Sequence, residues 1–405
     1  MKKNLKLRGR SGATGLPRVT VVTPSFNQGV FLEETIRSVA SQDYPNLEHW
    51  IIDGGSKDNS LDIIRRWARR CRSIRWVSEK DKGQSEAINK GFLRANGEIV
   101  AWLNSDDAYT PGAVRKAARF LTAHPDCMLA YSDALLVDER GASLGLFPHT
   151  ERIFNYRRLA GVSDYIAQPS TFFRRRVLDE VGLLDEDLHW CMDWDLWIRI
   201  ANRYPVMYFP SVTARMRDYA QTKTRSGGRR RWKEIVAVAR KHSGMMFPPA
   251  FFIYGLESGA TRLRLDRSAR SRVKSTFLFK VIDYCINRHL DVVGDGWVTR
   301  KVEFSFYGTP ARFSLKGSWP ARNIPARLDF LLNGHRLRTR RFASRGTFTA
   351  TVSLPPQFRT EGRNALLVRS SRVAELGRDH RRKLSFRLID YAFRGEGGDA
   401  GKAVP

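Results

Sequence analysis

Two adjacent carboxylates, Asp106 and Asp107, follow the largely apolar run EIVAWLN at residues 98–104 after one serine, Ser105. Taken alone, such a pair is more often a solvated turn or a helix cap before Pro111. Further aspartates stand in other polar loops and at the start of a helical segment: Asp53, Asp81, Asp193 and Asp195. Carboxylates are the ligands that Mg²⁺ and Mn²⁺ prefer, and these ions keep positions open for phosphate oxygens. Together the acids predict a divalent cation, Mn²⁺ or Mg²⁺, that binds a phosphorylated substrate.

The elements that must position these acids alternate between strand-like runs and helical patterns. The runs lie at residues 18–24, 47–53, 74–79 and 98–104, and an amphipathic segment follows each of them. This alternation predicts an α/β fold with a mainly parallel sheet flanked by helices. Ligands of such sheets bind beyond the carboxyl ends of the strands. The loops TPSFN, DGGSKDNS, EKDKGQ and NSDD are therefore expected to form one site.

Other motifs and the charge narrow the class of function. No GxGxxG follows the first strand and no GxxxxGK[ST] occurs, so a dinucleotide dehydrogenase and a P-loop ATPase are disfavoured. The chain carries 70 Lys and Arg against 41 Asp and Glu, a net charge of +29, which predicts an anionic partner. A nucleic-acid-binding protein is the rival interpretation, but neither an RNP-like pattern nor a zinc module supports it. No nucleic-acid partner is expected.

Four ordered motifs give a more specific interpretation. They are residues 21–60, DKGQSEAINKGFLRANGEIVAWLNSDDAY at 81–109, QPSTFFRR at 168–175 and MDWDLWIRI at 192–200. In this order they resemble the family 2 glycosyltransferases, which have the GT-A nucleotide-diphospho-sugar transferase fold, over roughly residues 18–220. The resemblance implies an inverting transfer of a sugar from a nucleotide-diphosphate sugar to an acceptor hydroxyl. It also implies a setting in cell-surface polysaccharide or glycolipid synthesis and a glycan or lipid-linked acceptor.

The resemblance further implies roles for single donor-side residues. Thr23, Pro24 and Ser25 would lie along the nucleoside, and Asp53 would accept a hydrogen bond from the base. Asp81, Gly83 and Gln84 would lie beside the ribose and the diphosphate, which Arg217 would also contact. From its own sequence, Asp53 could instead simply open the DGGSKDNS turn. Arg217 on a basic loop is explained as well by a solvated charge.

The remaining roles concern the metal, the base and the acceptor. The resemblance makes Asp107 the metal ligand, places Asp106 nearer the donor sugar or ribose, and makes Asp193 the catalytic base. Asp195 and Gln168 would be acceptor-side or secondary residues. Met192 replaces the Glu that many relatives carry before the base, and Tyr219 lies where they often have a His ligand. Asp193 or Asp195 can instead be read as a helix N-cap, and Gln168 as an ordinary loop residue.

Beyond the resemblance the chain changes character twice. We predict a basic tail at 1–17, the GT-A domain at 18–222, a basic helical connector at 223–290 and a C-terminal antiparallel β-sandwich at 291–395. A flexible tail follows at 396–405. The sequence DERG between residues 137 and 146 predicts a hairpin, and Asn333-Gly334 between two alternating runs predicts another.

Cysteine usage and hydrophobic segments bear on localisation. The four scattered cysteines, Cys71, Cys127, Cys191 and Cys285, predict reduced and mostly buried thiols in a cytoplasmic protein. The basic N-terminal stretch lacks an apolar core, so no secretory signal is expected, and no segment is long enough for a transmembrane helix. The connector combines basic and apolar residues, which predicts peripheral binding to an anionic membrane surface on its inner face. The alternative to membrane binding is a packed connector with a solvated basic face. An inactive sugar-binding relative is a further alternative for the whole chain.

Overall fold

The structure is a computed structural model that describes residues 16–152 and 154–262 and shorter segments of the remainder. Those segments are residues 297–298, 301–306, 310–319, 326–342, 346–360, 364–371, 374–375, 383–384, 386–394 and 400–401. Contacts divide the chain into two units. The first comprises Met1–Glu151, Tyr165–Ile200 and Val206–Ser226, and the second comprises Arg152–Asp164, Ala201–Pro205 and Gly227–Pro405.

The first unit is built on one nine-stranded sheet. Its strands are β1 (Val19–Ser25), β2 (Leu47–Asp53), β3 (Ile74–Ser78), β4 (Ile99–Trp102), β5 (Ala108–Tyr109), β6 (Leu129–Val137), β7 (Ser143–Leu146), β8 (Thr171–Arg174) and β9 (Val206–Arg217). The order is β3-β2-β1-β4-β8-β6-β9-β5, and β7 pairs with β6. The first four strands in this order are parallel, whereas β8 is antiparallel to both of its neighbours. The sheet is therefore parallel in the half formed by β1 to β4, as predicted, and mixed beyond β4.

Helices cover this sheet and leave the central strands without solvent contact. They are α1 (Gly29–Ala40), α2 (Ser60–Arg70), α3 (Gln84–Arg94), α4 (Ala113–Ala123), α6 (Val177–Val181) and α7 (Met192–Arg203), with the short α8 (Lys223–Ser226) after β9. All residues of β1 and β4 are buried. Strands covered on both faces read as continuous apolar runs, which is why the sequence marks these two so clearly.

Close packing of α3 on β1 fixes the start of α3 relative to the sheet. A Cβ placed on Gly91 of α3 would overlap the Val22 side chain of β1. Only a glycine lets the helix approach the strand this closely. The position of Gln84 at the first turn of α3 therefore depends on this contact.

The predicted hairpin at 137–146 is confirmed. β6 and β7 pair antiparallel, and Asp138 closes the turn by accepting from the main-chain N–H groups of Arg140 and Ala142. Gly141 has a φ of 83°, which a glycine adopts without strain. The turn places the carbonyls of Asp138 and Glu139 next to the end of β9, where they contact Arg217.

The second unit begins with helices and continues with two antiparallel sheets. Its helices are α5 (Tyr156–Gly161), α9 (Gly228–Ser243) and α10 (Pro249–Arg262). One sheet contains β10 (Trp297–Val298), β12 (Arg312–Trp319), β15 (Gly346–Ser353), β19 (Phe386–Arg394) and β20 (Ala400–Gly401). The other contains β11 (Lys301–Phe306), β13 (Ala326–Leu332), β14 (His335–Phe342) and β16 (Asn364–Ser370). The short strands β17 (Ala374–Glu375) and β18 (Lys383–Leu384) pair separately.

Side chains from both sheets form one hydrophobic cluster. Its buried members are Phe313, Leu315, Leu328, Phe330, Leu332, Phe348, Ala350, Val352, Leu354, Leu366 and Val368. Asn333 and Gly334 join β13 to β14 with φ values of 48° and 87°, which confirms the predicted hairpin turn. The C-terminal antiparallel strands are thus present as predicted.

Several predictions fall on residues outside the described part of the chain. These are residues 1–15 of the basic tail, 263–290 of the connector, Cys285, and most of the tail at 396–405, in which Ala400–Gly401 pairs with β19. The three other cysteines are free thiols, two of them buried, as predicted. None of the helices described is long and apolar enough to cross a membrane.

Candidate active site

The four polar loops begin at one edge of the sheet. The register pairs Ser25 with Asp53 and Asp53 with Ser78, so β1, β2 and β3 end side by side. On the other side of β1, Val22 pairs with Trp102, and the loop that carries Asp106 and Asp107 follows. The structure therefore brings the predicted loops together at the carboxyl edge.

Asp53 is completely buried and holds its own loop. Its carboxylate accepts hydrogen bonds from the main-chain N–H groups of Gly55 and Ser56, at 3.0 Å each, and from the hydroxyls of Ser56 and Ser78. Four internal donors satisfy most of the capacity of the two oxygens. The turn-forming role that the sequence left open is the one this geometry describes.

The end of β1 contains a buried hydroxyl, that of Ser25, which has no hydrogen-bond partner in the described part of the chain. Thr23 Oγ1 lies 2.9 Å from Nε2 of the buried His49, whose pKa burial lowers to about 3. Pro24 lies past the last residue of β1 that pairs with β4. Ser25 is 3% exposed, and its Oγ has no hydrogen-bond partner among the residues that the structure describes. A buried hydroxyl left unpaired costs roughly 1–3 kcal/mol, so Ser25 is suited to bond a ligand.

The DKGQ loop lies against the DGG loop. The Asp81 carboxylate accepts from the Gly83 N–H at 3.0 Å, and burial raises the pKa of Asp81. A Cβ on Gly54 would lie 2.6 Å from Asp81 Oδ2, so the two loops touch where the glycine lacks a side chain. Gly83 has a φ of 148° and caps α3, which begins at Gln84.

A chain of polar side chains links the loops after β3 and β4 to two later segments. Gln84 Nε2 donates to Asn104 Oδ1 at 2.8 Å, and Asn104 Nδ2 donates to Gln168 Oε1 at 3.0 Å. Lys223 Nζ donates to Gln84 Oε1 at 2.9 Å, while Gln168 Nε2 donates to the Trp102 carbonyl. Gln168 is thus tied to the carboxyl end of β4 rather than being an ordinary loop residue.

The acidic pair is held from several sides in a buried setting. Asp107 is 5% exposed and accepts from the Arg217 N–H at 2.9 Å and from Asn104 Nδ2 at 3.3 Å. The Tyr219 hydroxyl donates to Asp106 Oδ2 at 3.2 Å. Burial raises the pKa of Asp106, and burial together with the charge of Asp106 raises the pKa of Asp107 well above its usual value. Two ionised carboxylates here need added positive charge.

Arg217 contacts the acidic loop, but its guanidinium is also engaged by other groups. Its side chain is 3% exposed and forms an ion pair with Glu34 at 2.6 Å. Its Nε donates to the Asp106 carbonyl, its Nη1 donates to two hairpin carbonyls, and it lies 4.6 Å from the Phe31 ring centroid. Arg217 therefore fixes the position of the acidic loop through these contacts.

The acids present fit a hard cation that shares its coordination with phosphate. Across the described ranges, no group of three or more His, Cys, Asp or Glu could hold a metal alone. Tyr219, which lies where a His ligand was looked for, bonds to Asp106 instead, and its pKa is raised to about 12, mainly by burial. One or two carboxylates plus substrate oxygens are the usual protein contribution to a Mg²⁺ site. Asp106 and Asp107 supply that number.

The two acids of MDWDLWIRI have different surroundings. Asp195 is completely buried and forms an ion pair with Arg199 at 2.7 Å, and Arg199 also donates to carbonyls that precede α7. Asp193 is half-buried in the first turn of α7, where its Oδ1 accepts from the Trp194 N–H at 2.8 Å. Asp195 therefore holds α7 in place, and Asp193 is the more accessible acid.

Sequence reasoning did not single out several residues that shape this site. They are Asn104, Glu34, Ser78, Trp190 and Lys223, of which Trp190 donates to the Lys223 carbonyl at 3.1 Å. Asn104 stood in the NSDD loop, so its position was a usable signal. No local pattern marks Glu34 or Lys223, since their partners are distant in sequence.

Comparison with known proteins shows which family model and which relatives this chain is similar to. Residues 20–182 match the family model described as Glycosyl transferase family 2. An uncharacterized glycosyltransferase of Rickettsia felis is 26% identical over 213 residues, which are 51% of this chain and 35% of that protein. TuaG of Bacillus subtilis, whose name assigns it provisionally to teichuronic acid biosynthesis, is 32% identical over 141 residues, 35% of this chain and 56% of that protein. The chain spans between about a third and just over half the length of these curated relatives.

Solved structures align more loosely. The Staphylococcus aureus protein TarS 1–349, in complex with UDP-GlcNAc, aligns with 67% of this chain and 80% of its own. Its sequence is 16% identical and the TM-score is 0.47. A likeness at that level bears on neither the substrate nor the residue roles of this chain.

Proposed function

Because residues 20–182 form a glycosyl transferase family 2 domain, we propose that the protein is an inverting glycosyltransferase. It would move a sugar from a nucleotide-diphosphate sugar to an acceptor hydroxyl. The observation that carries the proposal is the buried Asp106–Asp107 pair at the edge where the polar loops meet. Burial raises the pKa of both carboxyls, so the ionised pair needs added positive charge. A cation bound to phosphate would supply that charge.

The donor is assigned to the edge formed by the loops after β1 to β4. The unpaired Ser25 hydroxyl is available to the nucleoside, which Thr23 and Pro24 would flank. Asp81, Gly83 and Gln84 would lie beside the ribose and diphosphate. Mn²⁺ or Mg²⁺, held by Asp107 with Asp106 beside it, would neutralise the departing diphosphate. Asp53 and Arg217 would serve by fixing the two loops.

We assign to Asp193 the removal of the proton from the acceptor hydroxyl. Direct displacement at the anomeric carbon needs a carboxylate that removes the proton of the attacking hydroxyl. Asp195 already neutralises Arg199 inside the fold, whereas Asp193 lies at the half-buried start of α7. Gln168 would orient the loop after β4 from the acceptor side through its bonds to Asn104 and Trp102.

For the setting, we propose cell-surface polysaccharide or glycolipid synthesis at the cytoplasmic side of a membrane. The similarity to TuaG over 141 residues favours an acidic cell-surface glycan as the product. The net charge of +29 suits an anionic acceptor or membrane surface. The acceptor would be a glycan or a lipid-linked sugar.

The test is donor protection followed by donor hydrolysis. Thermal unfolding is measured with a panel of UDP, GDP and dTDP sugars, each with Mn²⁺, Mg²⁺ or a chelator. We expect one sugar nucleotide to raise the Tm only with metal, because a ligand that binds the folded state alone stabilises it. The same donor should then be hydrolysed in a turnover assay.

The control for this test is Asp107→Asn, which keeps the size of the side chain but is a poorer ligand for a hard cation. The variant should fold and lose both the metal-dependent Tm shift and turnover. Unchanged turnover with the same metal requirement would remove Asp107 from the site. Protection by donor without turnover would favour the inactive sugar-binding alternative, and protection by an oligonucleotide alone would favour the nucleic-acid interpretation.

A further inference from the structure

The turn between α9 and α10 presents two large apolar side chains to solvent. Its residues are GMMFP at 244–248, and Met246 and Phe247 are 74% and 56% exposed. They are adjacent in the chain, so they form one apolar tip rather than two isolated surface residues. Single exposed apolar residues need no explanation, but a contiguous exposed pair at a turn indicates a contact surface.

The tip, defined here as residues 244–248, is held in a fixed shape. Gly244 ends α9 with a φ of 68°, and Arg240 Nε donates to the Met246 carbonyl at 2.7 Å. The Phe247 ring packs edge-on against Phe251 of α10 at 5.6 Å, and the Arg240 guanidinium lies 5.8 Å from the Phe247 centroid. A tip ordered in advance loses little conformational entropy when it is buried.

Cationic side chains accompany this tip. Arg240 and Lys241, in the last turn of α9, are exposed next to it. At the opposite, N-terminal end of α9 the sequence GRRRWKE adds Arg229, Arg230, Arg231 and Lys233 against one acid, Glu234. Apolar groups that protrude beside basic ones match the interface of a bilayer with anionic headgroups, where both kinds of contact are favourable.

We propose that the 244–248 tip docks the protein on a membrane that contains anionic lipid. Met246 and Phe247 would enter the boundary between headgroups and acyl chains, and Arg240 and Lys241 would contact the headgroups. This inference rests on the second unit alone and does not depend on the transferase proposal. The sequence predicted membrane binding by the whole basic connector at 223–290. The proposal restricts the membrane-inserting part of it to one turn and the side chains of Met246 and Phe247.

The experiment is co-sedimentation of the full chain with vesicles. One set is phosphatidylcholine, and the other contains about one-third phosphatidylglycerol. We expect binding to the anionic set only, with release in 1 M NaCl, where the Debye length is about 3 Å. Met246→Ser/Phe247→Ser should weaken the binding to anionic vesicles roughly tenfold to a hundredfold, since two apolar side chains no longer leave water.

The matched control is Leu93→Ser/Leu144→Ser, which removes two apolar side chains of similar exposure, 72% and 56%, from the first unit. It should bind like the unaltered chain, and the Tm of both variants shows whether they are folded. A Phe247→Trp variant should shift its fluorescence emission to the blue on anionic vesicles. Tip variants that bind as well as the control, or an unaltered chain that binds both vesicle types equally or neither, would overturn the proposal.

Discussion

Asp193 and Asp195 lie two positions apart in α7, and we propose a chemical role for the first and a structural role for the second. Asp193→Asn should leave donor and metal binding intact and lower kcat roughly 10²–10⁴-fold, the usual contribution of a positioned base. Asp195→Asn should lower the free energy of unfolding by roughly 1–3 kcal/mol, because it weakens a buried charged contact to Arg199. Turnover and denaturant unfolding of both variants measure this contrast.

The opposite pattern is a clear refutation at this scale. If Asp195→Asn stays folded and loses turnover while Asp193→Asn is near normal, the base is Asp195. The same measurement made on Arg199→Gln helps to interpret the result. That variant should share the stability loss of Asp195→Asn, since it removes the positive charge of Arg199 from the buried carboxylate.

Single residues also show what the sequence could and could not predict. The acidic pair and the four polar loops were identified because each follows a clear apolar run. The contacts that each carboxylate makes could not be predicted from the sequence. Asp53 accepts hydrogen bonds from Ser56 and Ser78, and Asp195 forms an ion pair with Arg199. Likewise, Arg217 reads as a loop cation in the sequence, and only its contact with Glu34 shows that it is buried.

At the scale of elements, the contact between α3 and β1 can be tested by a pair of substitutions. Gly91→Ala should cost roughly 1–3 kcal/mol in spite of a better helix propensity, because its Cβ overlaps Val22. The shift should also weaken donor binding, since Gln84 starts the same helix. Adding Val22→Ala should recover part of both losses.

Val22→Ala alone completes this thermodynamic cycle. Unfolding free energies of the two single variants and the double variant give the coupling between the positions. A double variant less stable than the sum of the single losses predicts would contradict close helix–strand packing at Gly91.

Elements differ in how far the sequence predicted them. The strands β1 to β4 were clear because burial on both faces makes them continuous apolar runs. β5 has only two residues, and its partner is β9, about one hundred positions later. The parallel pairing of β6 with β9 joins residues about eighty positions apart. Such pairings depend on tertiary contacts that no local pattern records, so the mixed half of the sheet was not resolved from sequence.

At the scale of the whole molecule, we predict that a chain ending at Asp291 remains folded and binds nucleotide. Among the residues that the structure describes, the buried side chains of this cluster lie between Phe313 and Val368, so removing the C-terminal sheets takes away a core of their own. The thermal shift with donor and metal should match that of the full chain. Aggregation of every chain that ends near this position would argue for one shared core.

The domain boundaries inferred from composition remain a proposal. Composition and charge change near residue 223, and the contacts divide the chain close to this point, at Ser226 and Gly227. The contacts also assign Arg152–Asp164 and Ala201–Pro205 to the second unit. Nothing in those short segments differs in composition from their neighbours, which is why the sequence did not mark them.

The hydrogen bond from the Arg217 N–H to Asp107 spans 110 positions, and this has a consequence for the growing chain. A ribosome adds roughly 5–20 residues per second, so roughly 5–20 s pass between synthesis of the acid and of its partner. During that interval β1 to β4 can pair, while the carboxylates lack the strand that orients them. A nascent chain released before β9 would therefore have the sheet edge proposed for the donor but would lack the contact that orients Asp107. The ability to bind the proposed metal and donor would arise late in translation.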